Sequence, residues 1–396
     1  MASTSEQDLQ AKPSLLIVAT IAHTIRGFLL PYAAHFRAQG WRVDAAANGA
    51  TADAAIREAF DHVHELPLSR SILDIRGMLR AERELSAVLE TAPDIIHAHT
   101  PIAGFVTRVA ARRMPAASRP AVVYTAHGFH FHSGGNPLTN AVFLTAERTA
   151  GRWTDRLVVI NDEDEAAAIR ARIVPRRHLV HMPGIGVDTE RYARANVDPG
   201  TIAGVRDDAG VSAQDPLFAV VAEHAPRKRV GDVISALASM RNRGAHLVLA
   251  GDGPERGRLD ALAEELGVVD RVHFLGAVAD VRPLVTTAVA LVLASDREGL
   301  ARSVMEALAL GVPAIVSTAR GNAELIGTDS GIVVPIGDVH ALAAAMDRLI
   351  DNPDEGAAMG TRGRVRMVEH YDIAHLIALH ETLYGELLEE HSRRPA

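Results

Sequence analysis

The chain has no cysteine among its 396 residues. That excludes disulfide bridges, thiolate-bound metal and a cysteine nucleophile, and it fits a protein of the cytoplasm. Long apolar runs are also missing. The longest away from the start, "VTTAVALVLAS", falls short of the ~18 residues that span a bilayer, so the chain is expected to be soluble or at most to lie on a membrane surface. The opening "MASTSEQDLQAKPSLLIVATIAHT" lacks a basic leading segment, and its apolar run is too short for a secretion signal. There is no basic surplus, since the net charge is -8, and nucleic acid is not an expected partner. No G-x-G-x-x-G follows the first apolar run and no Walker A motif occurs, which argues against dehydrogenases and P-loop enzymes. Low-complexity segments are absent as well.

What is present is an ordinary globular composition, 48% hydrophobic and 23% charged, in a chain too long for one domain core. Short apolar runs recur between longer helical patterns. In the first half they are "SLLIVAT", "WRVDAAA", "PDIIHAH", "AVVYTAH" and "DRLVVIN"; in the second, "PLFAVVA", "AHLVLAG", "RVHFLG", "VALVLAS", "VPAIVS" and "GIVVP". Runs that are continuous rather than alternating predict strands buried on both faces, hence parallel sheets covered by helices such as "RGMLRAERELSAVLETA" and "ERGRLDALAEELG". The expected class is α/β, two βαβ domains in tandem. Pro183, Gly184, Gly186 and Pro199 mark the break near residue 190, and "IAHLIALHETLYGELLEEH" reads as an amphipathic closing helix. The predicted division is 1–190, 191–370 and a closing helix and tail over 371–396.

Parallel sheets bind ligands beyond the carboxyl ends of their strands, where helix N-termini offer N–H groups to anions. Three second-half stretches stand there: "LAGDGPE" with Gly251 and Gly253, "ASDREGLARS", and "STARGNAEL". In "AEHAPRKRVGD" the cations Arg227, Lys228 and Arg229 occupy the turn after a strand. They suit a diphosphate clamp, with a solvated basic turn as the alternative.

"EGLARSVMEALALGVPAIVS", "LAGDGPE", "RVHFLG", "PGIGVD" and "RGNAELI" together resemble glycosyltransferase family 4, retaining enzymes of the GT-B fold. The likeness runs over nearly the whole chain, and "YTAHGFHFHSGG" with "EGLARSVMEA" resembles the bacterial branch that builds capsule and exopolysaccharide repeats. The resemblance implies two Rossmann-like domains facing across a cleft. It implies that Glu306 accepts hydrogen bonds from the nucleotide ribose and that Glu298 contacts hydroxyls of the donor sugar. A carboxylate suits both tasks because it accepts two vicinal O–H donors. With a helix beginning near Leu300, the N–H groups of Gly299, Leu300 and Ala301 are expected to meet phosphate or sugar. Gly251 and Gly276 fall on the same nucleotide side. His127, ending a strand before Gly128, is expected beside the reacting sugar.

His130 and His132 follow His127 at alternating positions, yet no carboxylate stands at ligand spacing, and the family implies neither metal nor cofactor. The first loop, "TIAHTIRGFLLP", departs from the family's double-glycine loop; Thr24, Arg26 and Gly27 are its expected contacts, Gly27 by close backbone approach. Glu223 stands where most members carry an arginine. It is expected to turn toward Arg227 or Arg229, or else to reach the acceptor. Basic residues Arg108, Arg112, Arg113 and Arg119, with Phe105 and Val109, read first as solvated helix charge, with a peripheral contact with anionic lipid as the alternative.

The expected activity is retaining transfer of a hexose or N-acetylhexosamine from a UDP-sugar to an acceptor hydroxyl. The acceptor is a polyprenyl-diphosphate-linked sugar, at the inner face of the membrane, or a soluble small molecule. A sugar-nucleotide epimerase of the same fold is the rival activity. Without a placed nucleophile, front-face departure of the diphosphate is expected, with Lys228 offsetting its charge.

Overall fold

The computed structural model describes residues 12–71, 73–132 and 135–393. The start of the sequence, Ser133 and Gly134 of the histidine-rich stretch, and the last three residues lie outside them. Two compact units form, 1–185 with 377–396 and 186–376. These limits stand beside 190 and 370 from the sequence.

The first unit holds seven strands: β1 (Ser14–Ile21), β2 (Arg42–Asn48), β3 (Val63–Glu65), β4 (Ile95–His99), β5 (Ala121–Ala126), β6 (Arg156–Val159) and β7 (Leu179–His181). They form one parallel sheet in the order β3-β2-β1-β4-β5-β6-β7. Every residue of β4, β5 and β6 is buried, because helices cover both faces, and this is why those strands read as unbroken apolar runs. The helix Pro101–Arg113 lies so close to β5 that a Cβ on Gly104 would sit 2.5 Å from the Tyr124 ring. Residues 377–392 of the final helix, Ile373–Ser392, pack in this unit through Leu383, Tyr384 and Leu387.

The second unit holds six strands, all legible in the sequence: β8 (Leu217–Val221), β9 (His246–Ala250), β10 (Val272–Gly276), β11 (Ala290–Leu293), β12 (Ala314–Ser317) and β13 (Gly331–Val334). Their parallel order is β10-β9-β8-β11-β12-β13. The core on one face gathers Phe218, Leu237, Leu247, Leu259 and Met346; on the other it gathers Leu291, Val304, Leu308, Ile326 and Met367.

Arg108, Arg112, Arg113 and Arg119 differ in their surroundings. Arg108 is fully buried, its Nη2 2.9 Å from Glu147 Oε2, its Nε donating to the Gly104 carbonyl at 2.8 Å, and its guanidinium 4.2 Å over the Tyr124 ring. Arg113 pairs with Glu82 at 2.6 Å, Arg119 donates to two carbonyls of the same turn, and Arg112 lies 4.5 Å over Trp153. Arg108 therefore belongs to the core, and the four arginines do not form one lipid-facing patch.

Candidate active site

In the second unit the strand order reverses between β8 and β11, neighbours in space that are separated in sequence by β9 and β10. Chain leaving such a pair diverges to opposite sides and opens a crevice at the carboxyl ends. The backbone leaving β8 makes one tight turn over Pro226–Lys228, and the backbone leaving β11 runs irregularly to the helix Arg302–Ala309. The two exits are tied by the Asp296 N–H donating to the Arg227 carbonyl at 2.9 Å. Above that tie, Lys228 Nζ donates to Glu298 Oε1 at 2.6 Å, with the side chains 14% and 9% exposed.

Further cations crowd this pair. Arg320 Nε donates to the Glu298 carbonyl at 3.4 Å. The Arg297 guanidinium is lowered from its ordinary pKa, first by burial and then by Arg320 and Arg227. Glu298 and Asp296 oppose that lowering, and a bound anion in such a crevice would relieve the remaining repulsion between the like charges. Glu223 is paired with Arg227 at 2.7 Å, the first of its two expected arrangements. Arg229, held in the left-handed region at φ 50, is taken up by Asp232 at 2.7 Å and Asp296 at 3.3 Å.

The helix carrying Glu306 begins at Arg302, later than the spacing suggested. Ala301 is still extended, and its carbonyl accepts from Val304 and Met305. Gly299, Leu300 and Ala301 therefore precede the helix, and its leading N–H groups belong to Arg302 and Ser303. Glu306, in the second turn and 8% exposed at its side chain, receives the Tyr192 hydroxyl and Arg302 Nε, both at 2.7 Å. Burial first, and then the Glu306 charge, push the Tyr192 phenol up, so it stays a donor.

Gly251 directly follows β9, and Gly276 ends β10. The Gly251 N–H donates to the Gly276 carbonyl at 2.7 Å, and a Cβ on Gly251, at φ 144, would lie 1.9 Å from the Ala222 carbonyl. Close approach of the chain leaving β8 is enough to require glycine there. Gly276 takes φ 68 in open space.

The first unit reverses its strand order between β1 and β4, where the Thr20 and Thr100 hydroxyls meet at 2.6 Å. Next to that point lies a stack of imidazoles. His127 follows β5 and its Nε2 is 3.0 Å from Nδ1 of His99, which ends β4. The His99 ring stacks on His97 with centroids 4.2 Å apart, and His97 bonds the Tyr384 hydroxyl at 2.5 Å and Thr125 at 2.7 Å. Burial and the neighbouring histidines hold His97 and His99 well below their ordinary pKa. Burial, followed by His380, lowers His127 to about 4. All three rings are neutral at pH 7, so one nitrogen of the His99–His127 contact donates and the other accepts. That contact occupies His127 Nε2 and leaves Nδ1 as the ring's other polar atom.

The expected loop at the end of β1 is a helix, Ala22–Phe28. Gly27 lies in its last turn rather than in a left-handed turn, and Arg26 is 3.7 Å from Asp53. Gly27 therefore lies within a helix rather than in the open loop on which its expected backbone approach rested. Among the described residues, the grouping of carboxylates and histidine close enough to hold a metal ion is Asp162, Glu165 and His181. It includes none of the candidate site residues.

Comparison with known proteins decides the family. The Glycosyl transferase 4-like domain matches residues 26–184, and Glycosyl transferases group 1 matches residues 205–366. EpsD of Bacillus subtilis is 34% identical over 357 residues, covering 88% of this chain and 91% of its own. The chain belongs to glycosyltransferase family 4.

As a family 4 glycosyltransferase it is a transferase enzyme, and its solved structural neighbours are GT-B glycosyltransferases. The UDP-Gal:alpha-D-GlcNAc-diphosphoundecaprenol alpha-1,3-galactosyltransferase of Escherichia coli is 26% identical over 289 residues, with 72% of this chain and 70% of that one covered. Anabaena HepE, solved with UDP and glucose, superposes with a TM-score of 0.78 at 21% identity, covering 94% of this chain and all of that one, which speaks to fold.

The structure of this glycosyltransferase adds residues the sequence reading missed. Arg302 stands four positions before Glu306, a helical spacing that was open to reading. Tyr192 lies 114 positions away, and no local pattern could have joined it to Glu306. Arg297 and Arg320 stood inside "ASDREGLARS" and "STARGNAEL", but nothing local showed that the two cations share one crevice. His99 stands 28 positions before His127, so no local pattern could have joined the two rings.

Proposed function

We propose that this glycosyltransferase moves a hexose or N-acetylhexosamine from a UDP-sugar to a hydroxyl of a polyprenyl-diphosphate-linked sugar, in cell-surface polysaccharide assembly, with retention at the anomeric carbon. The observation that carries the reading is the Lys228–Glu298 pair at the β8/β11 reversal, ringed by Arg227, Arg297 and Arg320. It combines the positive field a diphosphate needs with a carboxylate suited to sugar hydroxyls. The Escherichia coli relative named for UDP-Gal and a diphosphoundecaprenol acceptor, and the UDP bound in HepE, support donor and acceptor class.

In this reading Glu306 accepts from the ribose hydroxyls, held in place by Tyr192 and Arg302. Gly299, Leu300 and Ala301 line the approach to the helix N-terminus, and Gly251 and Gly276 shape the nucleotide side. Lys228 engages the diphosphate and Glu298 the sugar. His127, neutral, offers a hydrogen bond to the sugar or its phosphate. The bond from C1 to the diphosphate oxygen breaks and the bond from C1 to the acceptor oxygen forms on the same face. The departing oxygen takes the acceptor proton. Lysine, arginines and N–H dipoles carry the charge that a metal would otherwise neutralise.

The test is turnover of a panel of UDP-sugars, with and without EDTA, using a polyprenyl-diphosphate-linked monosaccharide and soluble small-molecule acceptors in parallel. The expected result is an EDTA-resistant product on the lipid-linked acceptor, with the donor's anomeric configuration by NMR. An inverted product, metal-dependent turnover, or transfer confined to soluble acceptors would each overturn the corresponding part.

A further inference from the structure

At the amino ends of β5, β6 and β7, away from the strand ends that lead to His127, the first unit carries a cavity of about 1050 Å³. Its lining includes Arg119, Arg148, Arg152, Arg172, Arg176 and His178. Five guanidiniums thus face a single carboxylate, Asp155, whose Oδ2 is occupied by the Val122 N–H at 2.8 Å. In a chain of net charge -8 this is a local surplus of the opposite sign.

The surplus is not used up within the fold. Among the described residues none of the five forms an ion pair with a carboxylate. Arg148 Nε is spent on the Ala171 carbonyl at 2.7 Å and Arg119 Nη2 on the Arg112 and Met114 carbonyls, while Arg119 Nε is buried with no partner. Helix C-termini attract cations, and two helices, Pro137–Ala150 and Asp162–Ala171, end at this cavity. Each offers about half a negative charge, so together they offset about one of the four net positive charges. Arg172 sits just past the second helix in the left-handed region, at φ 50, and Arg152 and Arg176 are exposed at the rim.

We propose that this cavity is a second anion site, separate from the strand ends of the proposed donor reading, for a ligand carrying two or more phosphate groups. Guanidinium forks bind phosphate oxygens in pairs, and several converge here from three segments of chain. The volume lies just above the ~300–1,000 Å³ usual for small-molecule sites, too large for one phosphate alone. A free polyphosphate and the clustered phosphodiester headgroups of an anionic lipid surface present the same chemistry, two or more phosphates within reach of the guanidiniums. The inference does not rest on the proposed donor or acceptor.

The experiment titrates the full chain and the double variant Arg152→Ala/Arg176→Ala with inorganic tripolyphosphate by calorimetry. A parallel arm uses sedimentation with vesicles of phosphatidylcholine, alone or mixed with phosphatidylglycerol. Both side chains are exposed, and circular dichroism checks that the variant is folded; Arg152→Gln alone serves if it is not. Expected is tripolyphosphate binding that weakens at least ~10-fold in the variant, with UDP affinity unchanged. Binding to phosphatidylglycerol vesicles that is lost in the variant, without tripolyphosphate binding, assigns the site to adjacent headgroups of a lipid surface. A wild-type chain that binds neither probe, or a variant that binds as tightly as wild type, overturns the proposal.

Discussion

Lys228 and Glu298, 70 positions apart in sequence, leave the two strands at which the second sheet reverses and meet at 2.6 Å as a nearly buried ion pair. Each is the other's partner, so a diphosphate arriving at Lys228 competes with a carboxylate already there. Lys228→Ala is expected to weaken UDP binding by ~1.5–3 kcal/mol, the range for hydrogen bonds to charged groups. Glu298→Gln frees the ammonium and is expected to hold or tighten UDP affinity while lowering turnover. Calorimetry with UDP beside initial rates reads both, and equal loss of UDP affinity in the two variants would contradict the division of roles.

Tyr192 and Arg302 fix the Glu306 carboxylate from two sides. Tyr192→Phe removes one neutral donor and is expected to weaken UDP about fivefold, near 1 kcal/mol, while Glu306→Ala costs ~1.5–3 kcal/mol. The phenol is pushed up in pKa, so the Tyr192 contribution should not fade as pH rises toward 10. Affinities measured at pH 7 and 9 for wild type and Tyr192→Phe check this; a wild-type advantage lost by pH 9 would speak against it.

His127 is lowered by burial, and then by His380, from 6.5 to about 4. A buried neutral histidine resists the proton that the unfolded chain accepts below 6.5. Its contribution to stability is therefore full above about 6.5, is lost progressively as pH falls, and stops changing below about 4. His97 and His99 shift in the same direction. Denaturant midpoints should fall steadily from pH 7 to 4, and less steeply in His127→Gln. The acid limb of turnover should lie below pH 5.5 rather than near 6.5. His99→Leu, which removes the partner of His127 Nε2, is expected to lower turnover about tenfold with UDP affinity unchanged.

Arg108 and Glu147 form a buried pair with Tyr124, whose hydroxyl donates to Glu147 Oε1 at 3.2 Å. Removing one partner leaves a charge inside the core, at a cost of ~3–5 kcal/mol. Arg108→Ala and Glu147→Ala should each lower the unfolding midpoint sharply, and the double variant should cost less than the sum. Additive losses would mean that the pair is uncoupled. Arg112→Ala, at the exposed end of the same helix, should change stability by less than ~1 kcal/mol.

The sequence by itself determined the class of fold, the number of units and the position of most strands. Strands sealed on both faces by helices must be apolar throughout, so eleven of the thirteen were visible as unbroken runs. The exceptions, β3 and β7, are three-residue edge strands with no fully buried residue, too short to leave a pattern. The glutamates and the turn cations were also legible, because each lies in a short stretch whose chemistry is local. The closing helix was read nearly to its ends, since twenty residues of amphipathic period outweigh any single position.

Only the tertiary structure decided which of these groups are partners. A salt bridge, a capped carboxylate or a stacked pair of rings joins residues 28 to 114 positions apart. Side-chain spacing says nothing across such distances. Nor could periodicity show that Arg108 turns into the core, because an arginine on a helix is ordinarily solvated and is buried only where Glu147 and the Tyr124 ring wait for it. The start of the Glu306 helix and the helix at Gly27 were settled in the same way. Backbone at the end of a strand follows the hydrogen bonds its surroundings leave open, and those come from the rest of the sheet.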